Sequence, residues 1–374
     1  MGASARAGGW EVVEGVGEIS LGIGATLILA VAALQAAQAG DVWVAGEGGY
    51  ASYRIPAVVR TGRGSLVAFC EGRRAGSKDW GDIDVLVKRS RDGGRTWGAA
   101  GVVADFGTDT VGNPAPVVDR KTGVIWLLLT RNPGEVRERD IQPGLTGATR
   151  TVWVTHSDDD GVSWARPEEI TREVKRPEWG WYATGPGSGI QTASGRLIVA
   201  CDHREGGESF SHVIYSDDDG KSWKMGGSAG PKCNEATVAE LRDGRLMLNM
   251  RSGAGRNRRA VSVSEDGGLT WSEPALDEAL IEPVCEGSLI RFGKMLLFSN
   301  PAAVKRMNMT VKMSRDDGKT WSAGKVIDAG PSAYSNLVPV RGKTVGLLYE
   351  RGERAPYERI RFVSFPVKEI ERSK

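Results

Sequence analysis

An eight-residue pattern, Ser-x-Asp-x-Gly-x-Ser/Thr-Trp, occurs five times in this chain of 374 residues, beginning at Ser90, Ser157, Ser216, Ser264 and Ser314. The intervals between copies are 67, 59, 48 and 50 residues. A recurrence at such spacing marks a repeat architecture, in which each supersecondary unit buries its apolar face against the next copy. Within a copy, the Asp can accept hydrogen bonds from the backbone of its own turn, and the Gly can take a positive φ without steric cost. The Trp can pack beneath the turn and donate its indole N–H. The pattern therefore reads as a β-hairpin clasp whose aspartates are structural. A calcium loop fits poorly, because the Glu that closes an EF-hand is missing.

The segments between the boxes read as buried strands. VIWLLLT (124–130), GRLIVAC (195–201), GRLMLNM (244–250) and KMLLFSN (294–300) are short apolar runs bounded by Gly, Asp or Asn. Heptads and long helical stripes are absent, and 51 glycines suit a fold with many tight turns. An all-β six-bladed β-propeller with Asp-box hairpins accounts for these features. The 334 residues from Asp41 onward, divided by a mean period of 56, hold about six blades. Five boxes suit six blades if the last blade is closed by strands from both ends of the propeller.

Composition narrows the function classes. A net charge of +2 gives no footprint for nucleic acid, and the one dense basic run, RNRRA (256–260), is expected on a solvated loop. Cys70, Cys201, Cys233 and Cys285 are scattered with no CxxC pair, and His156, His203 and His212 lack metal-ligand spacing. No metal and no cofactor are expected. Residues 1–40 differ from the rest: LGIGATLILAVAAL (21–34) is followed by Ala37-Gln38-Ala39, an A-x-A cleavage pattern. This reads as a signal peptide or anchor, with export to the periplasm or medium and no stable membrane span. Glu11, Glu14 and Glu18 stand where a positive leader region belongs.

The residues that the repeats do not share carry the candidate chemistry. YRIP places Arg54 at the entry of an apolar strand, where a guanidinium is costly unless paired. EGRRAGSKDWGDIDVLVKRS (71–90) holds Asp79 in a Gly-rich loop. NEATVAEL (234–241) and LNMRS (248–252) bring Glu235 and Arg251 to neighbouring strand ends. Further on, SNPAAVKRMNMTVKMS (299–314) carries Arg306 and SAYSNL (332–337) carries Tyr334.

With YRIP, five Asp boxes and the Arg-Arg-Tyr order, the chain resembles the exo-α-sialidase (neuraminidase) family of bacteria and animals, from about Tyr50 to Phe365. The resemblance implies the same six-bladed propeller. It assigns three carboxylate-binding arginines to Arg54, Arg251 and Arg306, the last preferred to Lys312 for its R-x-N-x-T context. It assigns the acid/base to Asp79 ahead of Asp82 and Asp84, the nucleophile to Tyr334 and its carboxylate partner to Glu235. Glu350 would steady the first arginine, Arg73 would lie near the sugar O4, and Asn113 and Tyr182 would belong to loops lining the pocket. Trp179, Trp181, Asp202, His203 and Arg204 are possible neighbours of the sugar. Such a site suits a sugar bearing a carboxylate on its anomeric carbon: guanidiniums hold that carboxylate, and a neutral phenol escapes the repulsion an Asp or Glu nucleophile would meet.

The implied activity is retaining hydrolysis of terminal sialic acids, with sialylated glycans or free sialosides as partners. Two variants keep the mechanism: a related nonulosonic acid lacking the N-acetyl group, or transglycosylation. A non-catalytic Asp-box binding propeller is the rival from another class, though it needs neither Tyr334 nor Asp79. Linkage preference, pH optimum, cysteine pairing and oligomeric state are not readable from sequence.

Overall fold

The structure, a computed structural model, describes residues 38–371. The expected leader segment 21–34 lies outside them. The described residues form a β-propeller of six four-stranded antiparallel units. The first blade runs outward through Ser52–Arg60, Leu66–Arg73, Ile83–Ser90 and Gly101–Ala104. The second uses Thr110–Val118, Ile125–Asn132, Thr151–Ser157 and Glu168–Glu169. Tyr182–Thr184, Leu197–Glu205, Glu208–Ser216 and Lys224–Ala229 make the third. The fourth is Cys233–Glu240, Leu246–Ser252, Arg258–Ser264 and Ala275–Ile281. The long strand Lys325–Pro339 serves two blades. Its first part is the outer strand of the fifth blade, beside Met307–Ser314, and its second part is the inner strand of the sixth, beside Thr344–Arg351. Gln38–Val44 then pairs with Arg359–Pro366 and completes the sixth blade.

This closure explains the box count. Each box lies in the hairpin between the third and fourth strands of a blade. In the sixth blade those two strands come from opposite ends of the propeller, so there is no hairpin and no box.

Apolar clusters sit between neighbouring blades. One joins Val58, Leu66 and Leu86 of the first blade to Leu348 and Phe362 of the sixth. Another joins Phe69 and Val85 to Leu127 and Leu129 of the second. The boxes feed these seams. Trp97 meets Phe362 edge-on at 5.5 Å, and Trp164 meets Phe69 at 5.4 Å, so each ring packs on the preceding blade. The box glycine faces the same way: a Cβ on Gly220 (φ +92°) would lie 2.1 Å from the Trp126 indole. Positive φ and close approach both demand glycine here.

The clasp chemistry agrees with the sequence for the aspartates and only partly for the tryptophans. Asp218 accepts from Ser216 Oγ (2.7 Å), Ser222 N (2.9 Å) and Ser222 Oγ (2.6 Å). The Trp271 indole donates to the Gly227 carbonyl and the Trp321 indole to Asp277. Those of Trp97, Trp164 and Trp223 are buried with no hydrogen-bond partner, so these rings act through packing alone.

The basic run RNRRA departs from expectation. Arg259 is fully buried on the third strand of its blade, paired with Glu282 at 2.9 Å and donating to Asn249 Oδ1 at 2.7 Å. A buried carboxylate across the blade draws the guanidinium in, which the linear run does not reveal. The four cysteines are buried and unpaired. Among the described residues no helix is long and apolar enough to cross a membrane, and no His/Cys/Asp/Glu group could hold a metal ion.

Candidate active site

Inner strands of several blades carry a register break near the same end of the propeller. Breaks fall between Arg54 and Ala57, Gly112 and Ala115, Cys233 and Ala236, and Ser332 and Ser335. Such bulges re-aim side chains that a regular strand would alternate between faces. They bring Arg54, Asn113, Glu235 and Tyr334 to the wall of one cavity of about 370 Å³. At the first break Ile55 holds φ +59°, an unusual conformation for a β-branched residue. Its N–H donates to Glu350 Oε1 at 2.9 Å.

Glu350 anchors this region. It is fully buried and accepts from Arg54 Nε (3.0 Å), Arg54 Nη2 (3.2 Å) and the Tyr334 N–H (3.2 Å). One carboxylate thus fixes a guanidinium and the backbone of the phenol across the seam of the first and last blades. Arg54 Nη1 reaches on to Asp79 at 3.4 Å, and its guanidinium lies 5.0 Å from the Tyr334 ring centre.

The Tyr334 hydroxyl donates to Glu235 Oε1. Arg251 Nη1 lies 3.2 Å from the same hydroxyl and 2.8 Å from Glu235 Oε2. Arg306 stands over the ring with its guanidinium 5.5 Å from the centre and donates to Tyr357 Oη at 2.7 Å. Burial, with the Glu235 charge beside it, pushes the Tyr334 phenol well above its ordinary pKa. The free site therefore holds a neutral phenol hydrogen-bonded to a carboxylate and ringed by three guanidiniums. Lys312 does not line the cavity.

Asp79 sits at the rim, its side chain 59% exposed. Arg73 Nη1 lies 2.7 Å away, and Arg73 also pairs with Glu71 through Nε at 3.0 Å. Partial burial would raise the Asp79 carboxyl, but Arg73 and Arg54 outweigh it and hold it below its ordinary value. Neither Asp82 nor Asp84 lines the cavity: Asp82 pairs with Arg74 at 3.1 Å, and buried Asp84 accepts from Tyr50 Oη at 2.6 Å.

The opposite wall holds Asn113, Arg150, Trp181 and Asp202. Asn113 is held by its neighbours: its N–H donates to Glu71 Oε1 at 2.8 Å and its Oδ1 accepts from Arg150 Nη2. Trp181 lies 4.3 Å beneath the Arg150 guanidinium and donates to Asp202 Oδ2 at 2.9 Å. Burial and the Glu235 charge push Asp202 up to about 8, so it is largely protonated at neutral pH. Arg204 reaches the rim.

Three residues named with the pocket loops lie elsewhere. Tyr182 and Trp179 belong to the core between the second and third blades. His203 stacks on Trp179 at 3.5 Å and does not reach the cavity. On the strand Leu197–Glu205 neighbouring side chains alternate between faces, so Asp202 reaches the cavity and His203 the core. The segment WGWY enters the strand Tyr182–Thr184 irregularly, with Trp181 at the cavity and Trp179 and Tyr182 packed inward. Several wall residues escaped the sequence reading, Glu71, Glu138, Arg150 and Tyr357 among them. Arg150 opens the strand Thr151–Ser157 much as Arg54 enters its own, which is the signal that was available. Tyr357 lies in a loop and has no local signal.

A family model described as a BNR repeat-like domain matches residues 64–347. The chain is 37% identical over 333 residues to a sialidase of Bacteroides fragilis, an alignment covering 82% of this chain and 61% of that protein. It is 30% identical over 332 residues to an exo-alpha-sialidase of Arthroderma benhamiae, covering 81% and 78%. Among solved structures, a Hadza microbial sialidase superposes with a TM-score of 0.84 at 36% identity, over 89% of this chain and 69% of that one. The chain therefore spans less than two thirds of the length of its Bacteroides relative.

Proposed function

The chain belongs to the exo-α-sialidase family with BNR repeats, and from that premise we propose that it is a retaining exo-α-sialidase acting on terminal sialic acids with Tyr334 as nucleophile. The observation that carries this reading is the Tyr334–Glu235 hydrogen bond set among Arg54, Arg251 and Arg306. A phenol is a weak nucleophile until a base takes its proton. Glu235 is that base, and Arg251 beside both atoms stabilises the negative charge whichever partner holds it.

The guanidiniums of Arg54, Arg251 and Arg306 bind the substrate carboxylate by charge-assisted hydrogen bonds. That anion also changes Asp79. Arg54 lowers the Asp79 carboxyl in the free site. Once Arg54 faces a substrate carboxylate, its effect on Asp79 weakens and the carboxyl rises toward a protonated state. Asp79 then donates its proton to the glycosidic oxygen as the bond to the anomeric carbon breaks, while the Tyr334 oxygen forms its own bond to that carbon. In the second step Asp79 takes a proton from water, whose oxygen displaces Tyr334, and the departing phenolate takes its proton back from Glu235, so configuration is retained after two displacements. General acid–base help of this kind contributes roughly 10²–10⁴ in rate.

The test is hydrolysis of an aryl α-sialoside by the purified protein, with the aryl glycoside of the sugar lacking the N-acetyl group in parallel, and NMR of the anomer formed first. Release with the α-anomer appearing first supports the reading. Preference for the second substrate would keep the roles and change the sugar. An initial β-product would exclude retention. Tyr334→Phe should lower kcat on the order of 10³-fold or more, as when a covalent nucleophile is lost, with an unchanged thermal transition. A variant of near-normal turnover would remove Tyr334 from this role.

A further inference from the structure

A second cavity, about 560 Å³, opens directly outside the first. The two share Asp79, Glu138 and Arg204. A group that protonates the leaving oxygen must stand between the sugar that stays and the group that departs. Asp79 stands at this boundary, so the outer cavity is where the leaving group lies.

The outer cavity is not neutral. Lys78 Nζ and the Arg137 guanidinium each lie 5.0 Å from the Trp80 ring centre. Glu138 is taken up by Arg204 at 2.9 Å, and Asp79 by Arg73 at 2.7 Å. Arg139 adds a further cation, 3.8 Å from Asp140. Lys78 and Arg137 have no carboxylate partner among the described residues. An indole face holds such cations in place without cancelling their charge. The cavity thus presents two cations over the Trp80 ring with no carboxylate to answer them.

We propose that this outer cavity is a leaving-group subsite that selects leaving groups bearing their own carboxylate, the simplest being a second residue of the same acidic sugar. The proposal rests on the sialidase reading above, which makes Asp79 the proton donor. Lys78 and Arg137, held over Trp80, meet the second carboxylate. Loss of neutral leaving groups is slower because they leave both cations unanswered.

The experiment compares two α-linked disialosides that differ only at the leaving residue, whose carboxylate is free in one and an amide in the other. kcat/KM is measured at about 20 mM and about 500 mM salt, conditions that separate screened from unscreened charge. The expected result is a preference of about tenfold for the free acid at low salt, shrinking toward parity at high salt. In Lys78→Ala/Arg137→Ala the low-salt preference should fall to about one; both side chains are exposed, and an unchanged thermal transition checks the fold. Parity in the unmodified protein, or a preference that survives in the double variant, overturns the proposal. If the aryl sialoside is cut and the disialosides are at parity, only the subsite fails. If the aryl sialoside is not cut either, the sialidase reading fails and the subsite with it.

Discussion

Asp79 is held by two guanidiniums, Arg73 and Arg54, whose charges favour its ionised form. In the proposed role of proton donor it must be neutral, so its lowered pKa predicts a pH effect. As pH falls from about 8 toward 5, the protonated fraction of the free protein grows. For a sialoside with a poor, alkoxide leaving group, kcat/KM should rise more steeply over that interval than for an aryl sialoside, whose leaving group needs little protonation. Asp79→Asn should cost the alkyl substrate roughly 10²–10⁴ and the aryl substrate far less. Parallel pH profiles for the two substrates would argue against Asp79 as the acid. At this scale the sequence named Arg54, Arg73, Glu235, Arg251, Arg306 and Tyr334, which line one cavity, and Glu350, which is buried behind Arg54 and Tyr334. Arg150 was missed although it stands before its strand much as Arg54 enters its own, and Tyr357 because it lies in a loop whose partner Arg306 is distant in sequence.

The Asp box is the element that repeats, and its energetics are local. Hydrogen bonds from Ser222 and Ser216 outweigh the effect of burial and hold the Asp218 carboxyl down at about 2. A carboxyl depressed on folding stabilises the native state above its unfolded pKa of about 3.9, and that contribution is lost as pH falls from about 4 to 2. Asp218→Ala should therefore cost about 1–3 kcal/mol by denaturant unfolding at pH 7, a difference that narrows toward pH 2. Sialoside turnover should stay within about twofold. A loss of activity with unchanged stability would contradict a purely structural clasp. The aspartate clasp was legible in sequence because its bonds join residues no more than four apart. That its Trp and Gly wedge against the preceding blade was not.

At the scale of the whole molecule, the ring depends on Gln38–Val44 completing a blade built from the other end of the propeller. Trp43 of that strand is buried in the seam with Tyr53 and Ile360, and Asp41 pairs with Arg361 at 2.6 Å. A truncation that removes residues 1–37 keeps this strand and sets the reference melting temperature. Removing residues 1–44 should lower it by roughly 10 °C or more, since a blade loses its outer strand and its buried indole. Equal melting temperatures for the two truncations would mean that the closure strand contributes little.

Repeat spacing, turn chemistry and alternating apolar runs determined the architecture from sequence alone, because each is a property of consecutive residues. Unshared residues such as Arg54 and Tyr334 stood out against the repeat for the same reason. Tertiary structure alone decided which of them meet. Glu350 joins Arg54 to the Tyr334 backbone across 296 and 16 residues of chain, respectively. It also decided that Arg259 is buried against Glu282 while Arg150 faces the cavity, and that WGWY divides between cavity and core. These outcomes depend on strand bulges and on packing between blades, where contact is set by the closing of the ring and leaves no mark in the local pattern.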